Sequence, residues 1–111
     1  MKVKDLLNLD GFTPANPECI AEQVIESGYV GDLLSWVMGN ADNGCAWVTI
    51  QTHLNIIAVA TLLEMACVII PEGAEIEADT LAKATEEGVP LFTTEKNAFE
   101  VCALLASFDI K

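Results

Sequence analysis

The chain has 111 residues and a formal net charge of −12, with no arginine and only five lysines. Nucleic-acid binding and polybasic membrane anchoring both need clustered cations to neutralise phosphate groups, so this composition excludes both. Hydrophobic residues make up 52% of the chain, which is more than a small monomer easily hides from water. We therefore expect a homodimer that its charge keeps soluble.

The spacing of the cysteines and the composition of the first residues indicate the cellular compartment and whether a metal site is expected. No two of the four cysteines are closer than 22 residues, so the sequence offers no paired metal ligands. No signal peptide is visible behind Lys2 and Lys4, and no apolar run approaches the ~18 residues that a membrane span requires. We expect a reduced, cytoplasmic protein without a metal or cofactor. The cysteines are Cys19, Cys45, Cys67 and Cys102.

The first part of the chain predicts short elements separated by turns. Residues 3–8 have the apolar spacing of a short amphipathic helix, and a proline-containing loop follows. Residues 24–29 predict a short strand. A helix then starts at Asp32, for which N-capping is the simplest role, and the glycine- and asparagine-rich stretch 39–44 ends it.

The second part of the chain alternates regularly between continuously apolar strands and helices, with strand starts about 22 residues apart. Such strands are typical of βαβ units whose sheet is covered on both faces. The sequence therefore predicts one α/β domain over residues 1–111, a three-layer α/β/α fold with a mostly parallel sheet of four to five short strands. The predicted strands are 46–50, 67–70 and 90–93, and the predicted helices are 53–66, 79–87 and 95–107.

Several residues are placed to begin or end these helices. Asp79 is a good N-cap for the helix 79–87, and Thr52 and Thr94 precede the other two helices. Gly88 fits the left-handed position that commonly follows a helix C-terminus.

The helix 53–66 is apolar nearly all round, which predicts burial on more than one side. A second subunit would provide the additional cover in a homodimer. Alternatively, the N-terminal segment or the last helix covers it within the monomer. We favour the dimer slightly because the whole chain is so apolar.

Polar side chains cluster where the strand 46–50 ends. Ligands of α/β proteins bind just outside the carboxyl ends of parallel strands, so this turn is the first candidate site. Thr94 ends a neighbouring strand at the same edge, and the turn around Gly28 and Asp32 could bring a helix N-terminus near the same ligand. The predicted ligand-binding residues are Gln51, Thr52, His53, Asn55, Thr94, Gly28 and Asp32.

His53 is the only histidine and has several possible roles. It could act as a general base or bind a ligand, or it could simply bond a backbone group in the first turn of its helix. The sequence places no second histidine, serine or cysteine beside it, which disfavours metal binding and a catalytic dyad. Phosphate-binding glycine motifs are also absent, which removes the ordinary kinase, NTPase and dinucleotide-oxidoreductase classes.

Three segments resemble the DRTGG domain family, from about Glu22 to the C-terminus. Glu22-Gln23 and Glu26-Ser27-Gly28 stand where the family has its naming Asp-Arg and Thr-Gly-Gly, so that motif is mostly replaced. The similar segments, in chain order, are GYVGDLLSWVM at 28–38, WVTIQTHLNIIAVA at 47–60 and EGVPL at 87–91.

The resemblance implies an α/β/α domain like the N-terminal domain of HPr kinase, without the catalytic P-loop domain and with a variable segment at 1–21. Such domains also occur beside CBS domains, where they look regulatory and can help dimerise. We therefore expect a non-catalytic regulatory domain that senses a small metabolite or nucleotide. The alternatives are a protein-interaction module without a ligand and, third, a small enzyme that uses His53 as acid or base.

Overall fold

The computed structural model describes residues 1–111 and contains a five-stranded sheet in the order β1-β5-β4-β3-β2. Strands β2 to β5 are parallel to their neighbours, and only β1 runs antiparallel, against β5. The strands are β1 (Thr13–Pro14), β2 (Ser27–Val30), β3 (Cys45–Val48), β4 (Cys67–Ile70) and β5 (Leu91–Thr93).

The helices lie in two layers, one on each face of the sheet. The first three pack on one face, where their apolar residues join a cluster of 13 buried residues centred on Trp47. On the other face, the last helix and an N-terminal 3-10 helix, Val3–Asn8, pack around Phe92 in a second cluster of 13. The helices are α1 (Leu34–Asn40), α2 (Asn55–Leu62), α3 (Ala78–Glu87) and α4 (Ala98–Ser107).

This architecture confirms the predicted three-layer α/β/α fold with a mostly parallel sheet. The strand alternation explains it: Cys45 and Trp47 of β3 face the α1–α3 layer, whereas Ala46 and Val48 face the α4 layer. Both sets are fully or almost fully buried, which is why the strand reads as one continuous apolar run.

The parallel strands follow one another in space in the same order as in the chain. Their order never reverses, so the sheet lacks the switch point at which doubly wound folds open a crevice between neighbouring strand ends. A ligand site at this edge must therefore come from the loops, which the simple strand-end rule did not anticipate.

Several predicted boundaries shift by a few residues. The helix 53–66 is shorter, because Glu64 adopts a left-handed φ of 50° that turns the chain back towards β4. The strand 46–50 ends at Val48, and the helix expected from residue 95 begins at Ala98. The prediction of strand 67–70 is confirmed residue for residue.

The predicted N-caps are wrong. Asp79 lies inside α3, whose first turn follows Glu77, and neither Asp32 nor Thr52 makes a capping hydrogen bond. Thr94 precedes a short turn, and α4 is capped instead by Asn97, whose side chain accepts from the backbone N–H of Glu100. The prediction for Gly88 is confirmed, with φ at 73°.

The proline-containing stretch, expected to be a loop, supplies the edge strand β1 and a short 3-10 helix, Pro17–Cys19. Asn16 explains how it attaches to the sheet. Its buried side-chain amide donates to the carbonyl of Val89 at 2.8 Å and accepts from the backbone N–H of Leu91 at 2.8 Å. One side chain thus extends the ladder beside β5.

Helix α2 is flanked by α1 and α3 on the same face of the sheet. The N-terminal 3-10 helix and α4 lie on the opposite face, so they do not cover α2 within one chain. Four of its residues are buried, and its outer side, including Leu62, is exposed.

Candidate functional site

The four parallel strands end at one edge of the sheet, where the loops carry the polar residues that the sequence singled out. Asp32 lies between β2 and α1. Its Oδ1 accepts from the Thr49 hydroxyl at 2.9 Å and from the Ile50 N–H at 2.9 Å. The Gln51 amide donates to the Asp32 carbonyl at 2.9 Å. These bonds fasten the β2–α1 loop to the β3–α2 turn.

The next two residues of the turn bond to the start of α3. The Thr80 hydroxyl donates to the Thr52 carbonyl at 2.8 Å. His53 Nδ1 lies 2.9 Å from Glu77 Oε2, and both side chains are largely exposed. The alternative in which the imidazole bonds a backbone group is therefore wrong. No local sequence pattern indicates this pair, because Glu77 follows His53 by 24 residues and lies at the start of a different helix.

The His53–Glu77 pair is a base oriented by a carboxylate, and these are two of the three members of a nucleophilic triad. No hydroxyl or thiol hydrogen-bonds to the imidazole, so the third member, the nucleophile, is not built around it. The structure also contains no group of three or more histidine, cysteine or acidic side chains that could hold a metal ion. Asn55 is exposed on the first turn of α2.

The largest cleft lies further along the same edge, between the β4–α3 loop and the β1–β5 pair, with a volume of about 590 Å³. Thr94 lines it and is 4% exposed. Its hydroxyl oxygen accepts from the Lys96 N–H at 3.2 Å, and no protein group accepts its proton. That proton is free for a ligand. The cleft is lined by Gly11, Thr13, Ala15, Gly73, Ala74, Glu75, Ile76, Leu81, Thr93, Thr94 and Glu95.

The walls of this cleft are held by backbone bonds and carry negative charge. The Gly73 N–H donates to the Thr94 carbonyl at 2.9 Å. Gly73 has a φ of 65°, a left-handed backbone conformation that favours glycine over residues with a Cβ. Glu75 and Glu95 are the charged lining residues. Next to them a neutral or cationic ligand group is favoured over a phosphate, whereas the Lys96 ammonium lies beside Gly11 of the same cleft.

The predicted site residues therefore fall into separate places. Asp32 and Gln51 are hydrogen-bonded to each other, but Thr94 lies in the cleft on the far side of β4. Neighbouring strands of a sheet lie about 4.8 Å apart, so the two places are separated by more than one strand. Gly28 lies on the edge strand β2, beside a smaller cavity of about 230 Å³. None of Gln51, Thr52, His53 and Asn55 lines a cavity.

The segment from Glu75 to Leu81 connects the cleft to the turn. Glu75, Ile76 and Leu81 line the cleft, whereas Glu77 and Thr80 bond to the turn. A displacement of this segment by a bound ligand would act on both sides. One local signal in the sequence points to the cleft, the glycine at position 73, three residues after the buried strand β4 ends.

The four cysteines are free thiols. Burial raises the pKa of the Cys45 thiol to about 11 and raises the pKa of the Cys67 thiol further. Burial also raises the pKa values of Cys19 and Cys102. All four are therefore neutral, poorly nucleophilic groups at neutral pH.

The fold is thus a mostly parallel α/β sheet between two helical layers, with its largest cleft in the loops at the strand ends. One solved structure with this fold contains the CBS and DRTGG domains of the regulatory region of Clostridium perfringens pyrophosphatase, complexed with its activator, diadenosine tetraphosphate. It superposes with a TM-score of 0.70 at 14% sequence identity, over 93% of this chain and 45% of that chain. At this identity the likeness shows the fold alone.

The chain thus spans less than half of that regulatory chain. It matches no protein-family model and no curated protein. The longest helices, α3 and α4, have ten residues each, and none is long and apolar enough to cross a membrane.

Proposed function

We propose that this chain is a DRTGG-type regulatory domain, non-catalytic and cytoplasmic, that binds a small polar metabolite or nucleotide and acts as a homodimer. The observation that carries the proposal is the cleft of about 590 Å³, which the buried Thr94 lines. Its volume lies in the ordinary range for small-molecule sites. The fold shared with a regulatory region that binds a nucleotide activator supports the same function.

The cleft chemistry narrows the ligand class. Three threonine hydroxyls, from Thr13, Thr93 and Thr94, offer hydrogen bonds, and Ile76 and Leu81 give an apolar wall. Because the two carboxylates repel phosphate, a base, a sugar or an amine lies beside Glu75 and Glu95, and any phosphate of a nucleotide lies away from them. The exposed turn residues His53 and Asn55, with the half-buried Gln51 and Thr52, lie along the same edge and are available to the outer part of a larger ligand.

The regulatory step is carried by the segment between Glu75 and Leu81. A ligand that tightens against Glu75 and Leu81 shifts the start of α3, and with it the His53–Glu77 and Thr52–Thr80 bonds. Those bonds hold the turn from which α2 begins. Binding at the cleft would therefore bias the position of α2. A ligand shifts such an equilibrium only if its contacts differ between the two positions, and the contacts with Glu75 and Leu81 would provide that difference.

Native mass spectrometry of protein purified gently from cells tests the proposal. The wild type should retain added small-molecule mass, and Thr94→Val should lose it because the variant keeps the shape but not the hydroxyl. Thr85→Val, the same change on the last turns of α3 outside the cleft, is the matched control and should retain the mass.

Thermal denaturation with adenosine, AMP, ATP and diadenosine tetraphosphate provides the second measurement. A ligand at 100 times its Kd adds ~2.7 kcal/mol, which raises Tm on the order of 10 °C for a domain of this size. His53→Ala and Thr52→Ala test the outer contacts. A bare wild-type protein that none of these compounds stabilises, or ligand affinities that no variant changes, would contradict the proposal.

An interaction module without a ligand is the second candidate. The exposed apolar side chains Leu33, Trp36 and Leu62 favour it, because such residues usually mark protein contacts. A stoichiometric partner recovered from the cell of origin, together with a ligand-free native mass, would favour this function over ligand sensing.

A further inference from the structure

Charge is distributed very unevenly over this molecule. The chain has 22 charged side chains, five lysines and 17 acids, yet only Asp32 and Asp42 fall within residues 27–63, one third of the sequence. That third includes β2, α1, β3 and α2. The neighbouring helix α3 and the loop before it carry six carboxylates, at Glu72, Glu75, Glu77, Asp79, Glu86 and Glu87.

Seven of the eleven large hydrophobic side chains that are exposed also fall within this third of the sequence. Leu33 and Trp36 beside and on α1 are 67% and 63% exposed, and Leu62 at the end of α2 is 67% exposed. Both helices pack on the same face of the sheet and contact each other. We call their outer side the neutral face, and it is formed by Leu33, Trp36, Met38, Leu54, Ala58 and Leu62.

We infer that a second copy of this chain docks on the neutral face, α1 and α2 against α1 and α2, and that Trp36 is its central anchor. A two-fold interface places each residue near its own counterpart or near residues of the same patch. In a protein of net charge −12, such self-contact is repulsive wherever carboxylates lie. The neutral face itself carries no charged side chain, and at its border beside Ala58 and Leu62 the charges of Lys83 and Glu87 are paired with each other. Contact between two such faces therefore buries exposed apolar side chains without bringing unpaired carboxylates together.

This inference deepens the proposed function, since it locates the homodimer contact, and it ties the contact to the cleft through α2. The turn held by Glu77 and Thr80 leads directly into α2, so a ligand at the cleft and a partner on the neutral face would bias the same helix. Dimerisation is tested separately from ligand binding, because Trp36 and Leu62 do not line the cleft.

Sedimentation velocity over a range of concentrations is the test. The wild type should sediment with about twice the chain mass of 11.9 kDa. Trp36→Glu and, independently, Leu62→Glu should each raise the dissociation constant of the dimer by at least about 30-fold. Replacing a central interface residue commonly weakens binding by that factor or more. Both positions are exposed in the monomer, and circular dichroism confirms that each variant remains folded.

Phe99→Glu is the matched control, because Phe99 on α4 is 83% exposed and lies on the opposite layer of the molecule. It should leave the dimer unchanged. A monomeric wild type, or a dimer that Phe99→Glu breaks and Trp36→Glu does not, would overturn the inference. Neither outcome affects the cleft, where monomeric Trp36→Glu should still bind any ligand that the wild type binds.

Salt dependence gives an independent readout. Two copies of charge −12 repel at long range, and added salt screens that repulsion while leaving apolar contact intact. The dimer should therefore tighten between about 20 mM and 500 mM NaCl, where the screening length falls several-fold. A dimer that weakens over this range would be held by ion pairs and not by the neutral face.

Discussion

The two faces of the sheet are covered in different ways. On one face, α1, α2 and α3 each connect two neighbouring strands, so the cover comes from chain segments adjacent in sequence. On the other face, the cover comes from the two ends of the chain, where Val3 and Leu6 meet Val101 and Leu105. The two clusters each contain 13 buried residues, yet one is assembled from local contacts and the other closes a loop of nearly the whole chain.

This difference separates folding order from final stability. Local contacts form at small entropic cost, whereas a contact between distant segments must first offset the entropy of loop closure. The crossover face should therefore form early, and the terminal face should close late, although both bury similar apolar cores.

The largest expected effect comes from matched cavities on the two faces. Ile57→Ala in α2 and Leu105→Ala in α4 should each lower the free energy of unfolding by roughly 2–5 kcal/mol, because both side chains are buried. Ile57→Ala should mainly slow refolding, and Leu105→Ala should mainly speed unfolding. Stopped-flow urea kinetics measure both. The Trp36→Glu background removes any contribution from dimer dissociation.

Two results would count against this comparison. A loss under about 1 kcal/mol for Ile57→Ala would mean that α2 is not packed as described. If Leu105→Ala slowed refolding as strongly as Ile57→Ala, the terminal face would form early and the contrast between the two faces would disappear.

A smaller effect is expected where the N-terminal segment attaches to β5. Asn16→Ala removes the partner of the Val89 carbonyl and of the Leu91 N–H, and leaves both backbone groups in a buried setting. Unpaired buried groups cost about 1–3 kcal/mol, which equilibrium urea unfolding resolves. Asn43→Ala, at an exposed position, serves as the control. Equal urea midpoints for the two variants would show that the two Asn16 side-chain hydrogen bonds do not stabilise the fold.

The smallest effect concerns the exposed ion pairs of the N-terminal segment. Lys2 lies 2.6 Å and Lys4 3.0 Å from the Glu22 carboxylate, and hydrogen bonds from them lower the Glu22 pKa from 4.5 to about 2. A lowered folded-state pKa stabilises above the unfolded value, so the contribution is present above about pH 4.5 and lost as pH falls towards about 2.

Urea midpoints between pH 2 and pH 7 measure this contribution. Glu22→Gln should flatten the change in midpoint across the window from pH 4.5 to pH 2 that the pKa shift defines, and Glu18→Gln should not. High salt should make Glu22→Gln and wild type alike. An unchanged profile in Glu22→Gln would mean that these pairs add nothing to folding.

The crossover face was predictable because its signals are local. The four apolar residues of β4, bounded by Pro71, define a strand without reference to the rest of the chain. Gly88 ends α3 by its own backbone preference. The edge strand β1 was missed because two residues, one of them Pro14, carry no strand signal until β5 lies beside them.

The edge of the sheet that carries the strand-end loops was predictable, but the contacts within those loops were not. The strand-end rule pointed to the loops at the edge where the parallel strands end. It could not tell that Asp32 bonds Gln51 and Thr49, or that His53 finds Glu77, because those partners come from separate loops. The cleft itself depends on β1, so its shape was out of reach of any local pattern.

The two sheet edges have unequal protection against growth. At one edge, β1 is only two residues long and contains Pro14, which lacks an N–H, so a further strand finds almost nothing to pair with. At the other edge, β2 has four residues, Ser27 to Val30, and no lysine or proline among them. Any aggregation of the folded protein should therefore begin at β2, and a single Val30→Lys change is the substitution that would block it.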